Sequence, residues 1–282
     1  MVSATNRNLE RIHMNDVPGH DRKGDTLFGT ASATYGRARP AYPDAVYSWL
    51  QSTGAVAPGM RMLEVGPGSG LATRRMLQLQ PSLLLAVEPD GGFSAELDAL
   101  MLAHANQLQW LNTRFESAAL LPRSFDFAFA ATSYHWLSPA TRVVRFADLL
   151  RPGGHLALWW NVFGDPERAD PFHDATLSVL AHLPAPSDAG DTVPFGLDVQ
   201  ARRAELTAHG LFEWVGVQVH RWSLQLTSAE VAALYGTFSV LLRLPLADRL
   251  RVQRELMSIA EQQFAGQVER NMCTPVYLVR RV

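Results

Sequence analysis

The sequence predicts an α/β protein built on a doubly wound, mostly parallel sheet. Strand-like and helix-like segments alternate from residue 44 to residue 161. The last strand-like segment, 155–161, has an unbroken apolar character, which suits a strand buried between two helical layers. A glycine-rich turn follows the first of these strands, and open α/β sheets bind ligands beyond the carboxyl ends of their strands. We therefore expect a ligand site at that edge of the sheet.

The first predicted elements alternate regularly. Apolar runs of five to seven residues mark the strands, and longer amphipathic runs mark the helices. An Arg-Pro-Gly-Gly turn at residues 151–154 separates the last helix of this series from its last strand. The expected elements are helix 44–53, strand 60–65, helix 71–79, strand 82–88, helix 93–104, strand 108–112, strand 125–131, helix 139–150 and strand 155–161.

Two helical insertions, at about 165–200 and 227–265, interrupt the alternation in the second half of the chain. Thr227 and Glu230 have the spacing of a capping box, which predicts the start of a helix. Both insertions lie between strands in sequence, so we expect them to cover the site as a lid or side wall. The elements expected here are helix 169–182, loop 184–195, helix 198–209, strand 212–220, helix 227–242, helix 246–264 and strand 275–280.

Composition predicts a loose segment 1–25 followed by a single domain, 26–282. The 282 residues are 47% hydrophobic, which suffices for one large core. A formal net charge of −2 with scattered arginines disfavours a nucleic-acid partner, and without an 18-residue apolar run no membrane partner is expected. The single cysteine, Cys273, and the absence of a signal-peptide pattern fit a cytoplasmic protein, and the nine histidines show no metal-ligand spacing. Monomer and homodimer both stay open.

Residues 62–90 form a motif that suits a nucleotide-type cofactor. Gly66, Gly68 and Gly70 lie between a strand and a helix, where main chain can approach a ligand closely. Glu88 closes the next strand, and its carboxylate can accept hydrogen bonds from two ribose hydroxyls. Leu71 replaces the last glycine of a dinucleotide fingerprint, and no Gly-Lys-Ser/Thr ending follows, so NAD and ATP are disfavoured. A plain strand-to-helix turn is the alternative.

Glu64 with the three glycines and Glu88 resembles the motif of class I S-adenosylmethionine (SAM) methyltransferases. The strings FGTASATYGRARPAYP, SFDFAFAATSYHWLSP, LLRPGG and TPVYLVRR, in this order, are similar to small-molecule methyltransferases related to trans-aconitate methyltransferase. The resemblance implies a Rossmann-like fold and methyl transfer from SAM to a small molecule, with S-adenosylhomocysteine as product. Arg114 stands where many relatives carry an aspartate that binds the adenine amine. The next two residues, Phe115 and Glu116, fit the branch of the family that has a phenylalanine-glutamate pair. Cofactor contacts are implied for Tyr35, Arg37, Glu64, Gly66, Gly68, Gly70, Glu88, Phe115 and Glu116.

Catalysis and acceptor binding are expected at the ends of the fourth and fifth strands. His135 is the candidate general base, because an imidazole titrates near neutral pH, and orientation of its loop is the alternative role. Large aromatic residues at strand ends indicate either an acceptor pocket or core packing. The expected pocket residues are Tyr134, Trp136, Trp160, Asn161 and Phe238.

Two other functions stay open at this point. A macromolecular methyltransferase would need a basic face, and the string at residues 133–136, Ser-Tyr-His-Trp, lacks the Asn/Asp-Pro-Pro-aromatic pattern of base amino-group methylation. A SAM-binding protein without catalytic activity is the other alternative, and fold alone does not separate it from an enzyme. The sequence leaves oxygen, nitrogen and carbon open as the atom that accepts the methyl group.

Overall fold

A computed structural model describes residues 26–183 and 193–282 of the chain. The expected loose segment 1–25, and residues 184–192 of the expected loop, lie outside the described residues. The first half of the chain supplies most of the sheet. Its elements are α1 (Ser32–Ala38), α2 (Asp44–Ser52), β1 (Arg61–Val65), α3 (Leu71–Leu77), β2 (Leu83–Glu88), α4 (Ser94–Ala103), β3 (Leu108–Asn112), β4 (Phe125–Ala131), α5 (Arg142–Leu149) and β5 (Leu150–Trp159).

The second half adds a helical body and two long strands. Its elements are β6 (Val162–Phe163), α6 (Pro171–Leu180), α7 (Val199–Thr207), β7 (Phe212–Thr227), α8 (Ser228–Tyr235), α9 (Ser239–Leu242), α10 (Leu246–Phe264) and β8 (Gln267–Arg281). Strands β7 and β8 are longer than the expected 212–220 and 275–280. The reason is that they pair with each other along their whole length, from Phe212 opposite Arg281 to Thr227 opposite Gln267.

The expected helix 227–242 is two helices. Its capping box is present, since the Thr227 hydroxyl accepts from the Glu230 amide and the Glu230 carboxylate accepts from the Thr227 amide. The first helix ends at Tyr235, and just beyond it the Thr237 side chain donates to the Leu234 carbonyl oxygen at 2.6 Å. The chain then restarts as α9, which begins at Ser239, a residue that lines the cavity described below.

The sheet order is β3-β2-β1-β4-β5-β8-β6, and β7 pairs with the outer side of β8. Strands β1 to β5 are parallel, whereas β8 runs antiparallel to β5 and to β7. This confirms the predicted doubly wound, mostly parallel sheet. The strand order reverses between β1 and β4, so their carboxyl ends form the switch point at which such sheets bind ligands.

A helical cap, defined as α6 with α8 to α10, packs over the end of the β7–β8 ribbon. Its core is apolar, with Phe172, Leu234 and Leu256 fully buried. Arg270, itself buried, ties the cap to β8 by pairing with Asp170 at 2.8 Å and by donating to the Tyr235 hydroxyl. Within the described ranges, no helix combines the length and apolar character needed to cross a bilayer.

Candidate active site

A cavity of about 480 Å³ opens at the carboxyl ends of β1, β2 and β4. Its floor is the glycine loop after β1. Its roof is the segment before α2, residues 28–43, which we call the strap. Its far end reaches Phe163 and Ser239, at the base of the helical cap. Chain segments that are distant in sequence thus surround one chamber.

The glycine loop is held against the loop that follows β4. Gly66 has φ +71°, and a Cβ atom there would lie 2.5 Å from the Ser133 Cβ, so a side chain does not fit. The Ser133 hydroxyl donates a hydrogen bond to the Val65 carbonyl oxygen. These contacts explain why glycine is needed at this position, and they leave main chain of Gly66 and Gly68 on the cavity wall.

Glu88 is fixed by the backbone around it. Its Oε2 accepts from the Gly68 amide and its Oε1 from the Asp90 amide, both at 2.9 Å. These two bonds fix the orientation of the carboxylate, which can accept about four hydrogen bonds when ionised. The predicted ribose-binding residue therefore lines the cavity in one defined orientation.

Glu64 is a buried carboxylate on the same wall. It is 1% exposed, and neither of its oxygens has a hydrogen-bond partner among the described residues. Burial raises the pKa of Glu64 to about 8. The nearby Thr73 hydroxyl, which does not complete a hydrogen bond to the carboxylate, partly offsets this effect, and the charge of Glu88 adds to it. An unpaired carboxylate in such a place is stabilised by a cation, which makes this end of the cavity suited to a positively charged ligand group.

Aromatic rings of the strap cover the glycine loop. Tyr35 contacts Phe93 and Phe28, and Phe28 contacts Trp136, each edge to face with ring centroids 5.6 Å apart. The row spans the cavity from the loop after β2 to the loop after β4. Edge-to-face pairs of this kind add to the free energy gained by burying apolar surface, so the roof is a packed layer.

Asp90 holds the start of the strap. Its Oδ2 accepts from the Gly29 amide at 2.6 Å, and its Oδ1 accepts from the Gly92 amide at 2.9 Å. A Cβ atom at Gly29 would lie 2.1 Å from the Asp90 Oδ1, so only glycine permits this approach. Asp90, 4% exposed, was not among the predicted site residues, although it follows Glu88 closely in the same strand-end motif.

The strap brings Arg39 to the cavity in place of the predicted Arg37. Arg37 lies in the last turn of α1 and donates to the Ala33 carbonyl oxygen, away from the cavity. The helix ends at Ala38, and the extended backbone at Arg39 turns this side chain inward. Its Nε and Nη2 donate to the Thr237 hydroxyl and carbonyl oxygens at 2.9 and 3.0 Å.

Asn161 anchors the other end of the strap. Its Nδ2 donates to the Pro40 and Ala41 carbonyl oxygens at 3.1 and 3.3 Å, and its Oδ1 accepts from the Thr274 hydroxyl at 2.7 Å. Asn161 lines the cavity as predicted, but its amide is engaged in holding the strap to β8. The structure thus gives this residue a positioning task that its place after a strand did not indicate.

His135 lines the cavity with its Nδ1 already occupied. The Trp160 indole N–H lies 3.1 Å from this nitrogen, and because an indole can only donate, Nδ1 is the acceptor. Burial lowers the pKa of His135 to about 3, and the positive charges of Arg142, Arg202 and Arg39 lower it further. The ring is therefore neutral with its proton on Nε2. This geometry opposes the predicted general base, which needs a nitrogen with a free lone pair.

Comparisons with known proteins agree with this architecture. Residues 63–158 match the family described as "Methyltransferase domain". This part of the chain is therefore similar to a methyltransferase domain. The chain is 35% identical over 134 residues to an uncharacterized methyltransferase of Mycobacterium tuberculosis, covering 48% of this chain and 51% of that protein. The chain thus spans about half the length of these curated relatives.

Other relatives match different shares of the chain. An uncharacterized methyltransferase of Schizosaccharomyces pombe is 26% identical over 262 residues, 90% of this chain and 97% of that protein. A tRNA U34 carboxymethyltransferase of Syntrophotalea carbinolica is 32% identical over 114 residues, 39% of this chain and 35% of that protein. The second match therefore concerns a minor part of the chain.

Solved structures share the methyltransferase fold at low identity. Haemonchus contortus phosphoethanolamine N-methyltransferase 2, in complex with S-adenosyl-L-methionine, has a TM-score of 0.54 at 13% identity, covering 93% of this chain and 58% of that chain. The [4+2]-cyclase SpnF has a TM-score of 0.51 at 15% identity, covering 86% and 83%. These likenesses concern the fold alone.

The predicted site residues divide into those that line the cavity and those that do not. Glu116 lines it and accepts from the Ser138 amide at 3.1 Å. Lining residues among the predictions are Tyr35, Glu64, Gly66, Gly68, Glu88, Phe115, Glu116, His135, Trp136 and Asn161. The predicted residues outside the lining are Arg37, Gly70, Tyr134, Trp160 and Phe238.

The residues outside the lining have structural contacts that explain their positions. Tyr134 is fully buried and donates to Glu205 at 2.8 Å, on the far side of the loop. Phe238 packs against Phe163 in the cap and against the Arg39 guanidinium, 4.9 Å from its ring centroid. Gly70 lies directly before α3 in a left-handed conformation and does not line the cavity. Aromatic or glycine identity alone did not reveal which way these residues face.

Sequence reasoning also missed a polar contact between the strap and the sheet. The Tyr42 and Thr132 hydroxyls lie 2.9 Å apart on the cavity wall, and Thr132 has φ +58°, which is uncommon for a β-branched residue. No sequence signal marks Thr132. Among the described residues, no group of three His, Cys, Asp or Glu side chains is arranged to hold a metal ion.

Proposed function

We propose that this chain binds SAM in the cavity and transfers its methyl group to a small-molecule acceptor. One observation carries the proposal. A buried, unpartnered carboxylate, Glu64, faces the same chamber as a glycine loop and the oriented carboxylate of Glu88. A nucleoside that carries a sulfonium and an amino group requires main chain for close approach, an acceptor for its ribose hydroxyls and an acceptor for its positive charge.

Each cofactor-binding residue has a defined task in this proposal. Glu88 accepts from the ribose hydroxyls, Gly66 and Gly68 offer close backbone approach, and Glu64 pairs with the positive methionyl end. Phe115 and Glu116 border the adenine position. When bound, SAM supplies a methyl group that is already activated on sulfur. The protein's own residues then align the acceptor and exclude water, so no covalent intermediate with the enzyme is needed.

The size and closure of the site support a small acceptor. About 480 Å³ lies within the range of small-molecule pockets, and the aromatic rings of the strap cover one side of it. The acceptor end is bordered by Trp136, Asn161 and Phe163. A formal net charge of −2 also suits a small metabolite better than a polyanion. A reducing cytoplasmic location fits the buried, unpaired Cys273.

Calorimetry tests the cofactor assignment. We expect SAM and S-adenosylhomocysteine to bind with micromolar dissociation constants, about −7 to −8 kcal/mol, and NAD not to bind. Glu88→Gln is the variant to compare with the parent, because it keeps the size of the Glu88 side chain and removes its charge. Binding of NAD without SAM would contradict the cofactor assignment.

Transfer of an isotope-labelled methyl group tests the acceptor class. Labelled SAM and the protein are incubated with separate metabolite, RNA and protein fractions of a cell extract. We expect label in the metabolite fraction. Label in RNA would favour an activity on nucleic acid, which the partial likeness to a tRNA carboxymethyltransferase raises as the second candidate. SAM binding without label in any fraction would indicate a binding protein.

A further inference from the structure

The hydrogen bond between Trp160 and His135 has a consequence for the acceptor. Both residues are buried, and the indole N–H occupies the Nδ1 lone pair at 3.1 Å. A neutral imidazole carries one proton, so that proton sits on Nε2. Among the described residues, Nε2 has no hydrogen-bond partner. It is also absent from the fully buried unpartnered atoms, so it is accessible. It is therefore the polar atom that His135 leaves for the cavity.

The charges around His135 favour the same neutral form. The positive charges of Arg142 on α5, Arg202 on α7 and Arg39 in the strap all act on His135. Glu205, the carboxylate in this group, pairs with Arg142 at 2.6 Å and with Arg202 at 3.5 Å, so one carboxylate faces two guanidinium groups. A further positive charge on the imidazole would be repelled by all three arginines.

We propose that Trp160 is a positioning residue that holds His135 as an Nε2–H donor, and that His135 donates this hydrogen bond to the methyl acceptor. The inference rests on the proposed methyl transfer and deepens it. An acceptor that fits presents an oxygen or nitrogen lone pair to Nε2–H. The nucleophilic atom of this acceptor attacks the methyl group without first losing a proton to His135.

Nitrogen NMR of histidine-labelled protein tests the tautomer directly. His135 is assigned by the signal that disappears in His135→Gln, and the spectra are recorded with S-adenosylhomocysteine present. We expect an unprotonated Nδ1 and a protonated Nε2, without titration between pH 5 and 8. A protonated Nδ1 with a bare Nε2, or an imidazolium at pH 6, would overturn the inference.

Two tryptophan variants separate the hydrogen bond from general packing. Trp160→Phe removes the indole N–H that bonds to Nδ1. Trp159→Phe is the matched control, because Trp159 is equally buried and its indole nitrogen has no partner among the described residues. We expect a mixture of tautomers in Trp160→Phe and the parent tautomer in Trp159→Phe. An unchanged tautomer in a folded Trp160→Phe would contradict the positioning role; if this variant fails to fold, the parent spectra decide the question.

Transfer of labelled methyl to the metabolite fraction distinguishes a donor from a base. The glutamine amide can place an N–H near the position of Nε2 but does not act as a base near neutral pH. We therefore expect His135→Gln to retain transfer within about tenfold of the parent, and His135→Ala to lose about 10- to 100-fold, the range of one hydrogen bond. Equal losses in both variants would favour the base. SAM binding measured on the same samples shows separately whether the proposed function itself holds.

Discussion

Glu64→Gln is expected to stabilise the ligand-free protein while weakening SAM binding. The carboxylate is buried, lacks a hydrogen-bond partner among the described residues, and has a pKa of about 8 instead of the usual 4.5. Between these two pH values the folded protein holds a proton that the unfolded chain has released. Stability therefore falls as pH rises through this window, and the penalty is complete above pH 8.

The size of this effect follows from the two pKa values. One pH unit corresponds to 1.36 kcal/mol, so Glu64 is expected to remove about 4 kcal/mol of unfolding free energy between pH 5 and pH 8. His135 contributes with the opposite sign at the acidic end, because its lowered pKa means that the unfolded chain binds the extra proton there. The difference between the parent and Glu64→Gln isolates the glutamate, since both proteins keep His135.

Urea unfolding at pH 5, 6, 7 and 8 measures this difference without ligand. We expect the variant to gain stability relative to the parent as pH rises, and to match it most closely at pH 5. Glu255→Gln, a change on the exposed part of α10, is the control and should follow the parent at every pH. Calorimetry of SAM on the same proteins should show weaker binding to Glu64→Gln alone.

Two results would refute the reasoning about Glu64. Parent and Glu64→Gln could change stability in parallel between pH 5 and pH 8, which would mean that the carboxylate is solvated or paired in solution. The variant could also bind SAM as tightly as the parent, which would mean that no cationic group of the ligand lies beside Glu64. The second outcome would move the positive end of the cofactor elsewhere in the cavity.

Three further predictions concern the ribose contact, the strap and the helical cap. Glu88→Ala should lose about 1.5 to 3 kcal/mol of SAM affinity by calorimetry, because hydrogen bonds to a charged group are strong, and unchanged affinity would place the ribose contact elsewhere. Asn161→Leu should speed hydrogen exchange in residues 35–42, because two strap carbonyls lose the hydrogen-bond donor that holds them. Exchange at the same rate as in the parent would mean that Asn161 does not hold the strap. Segments 165–183 and 227–265 should exchange more slowly when S-adenosylhomocysteine is bound, and equal rates in both states would indicate a static wall.

The sheet was predictable because its signals are local. The apolar segments and the glycines after β1 each depend on a few neighbouring residues, whereas the predicted Arg-Pro-Gly-Gly turn lies inside β5. The strap depends instead on contacts between residues far apart in sequence. Arg39 meets Thr237, and Gly29 meets Asp90, across 198 and 61 positions of the chain. The choice of Arg39 over Arg37 follows from where α1 ends, and sequence patterns fix helix ends poorly.

Trp159 and Trp160 show how strand geometry decides a residue's role at this edge. Neighbouring residues of a strand point to opposite faces of the sheet, so the two indoles enter different cores. Trp159 packs with Tyr47 and Phe129 on one side, and Trp160 packs with Phe195 and Tyr277 on the other.

Because both faces are covered, neither tryptophan lines the cavity, and the pocket role predicted for Trp160 has no geometric basis. The next residue, Asn161, reaches the cavity only after the strand has ended. Trp160 can still act on the site through its single polar atom, the indole N–H that meets His135. Trp160 was predicted to contact the acceptor. Its position instead suits it to determine which nitrogen of His135 carries the proton.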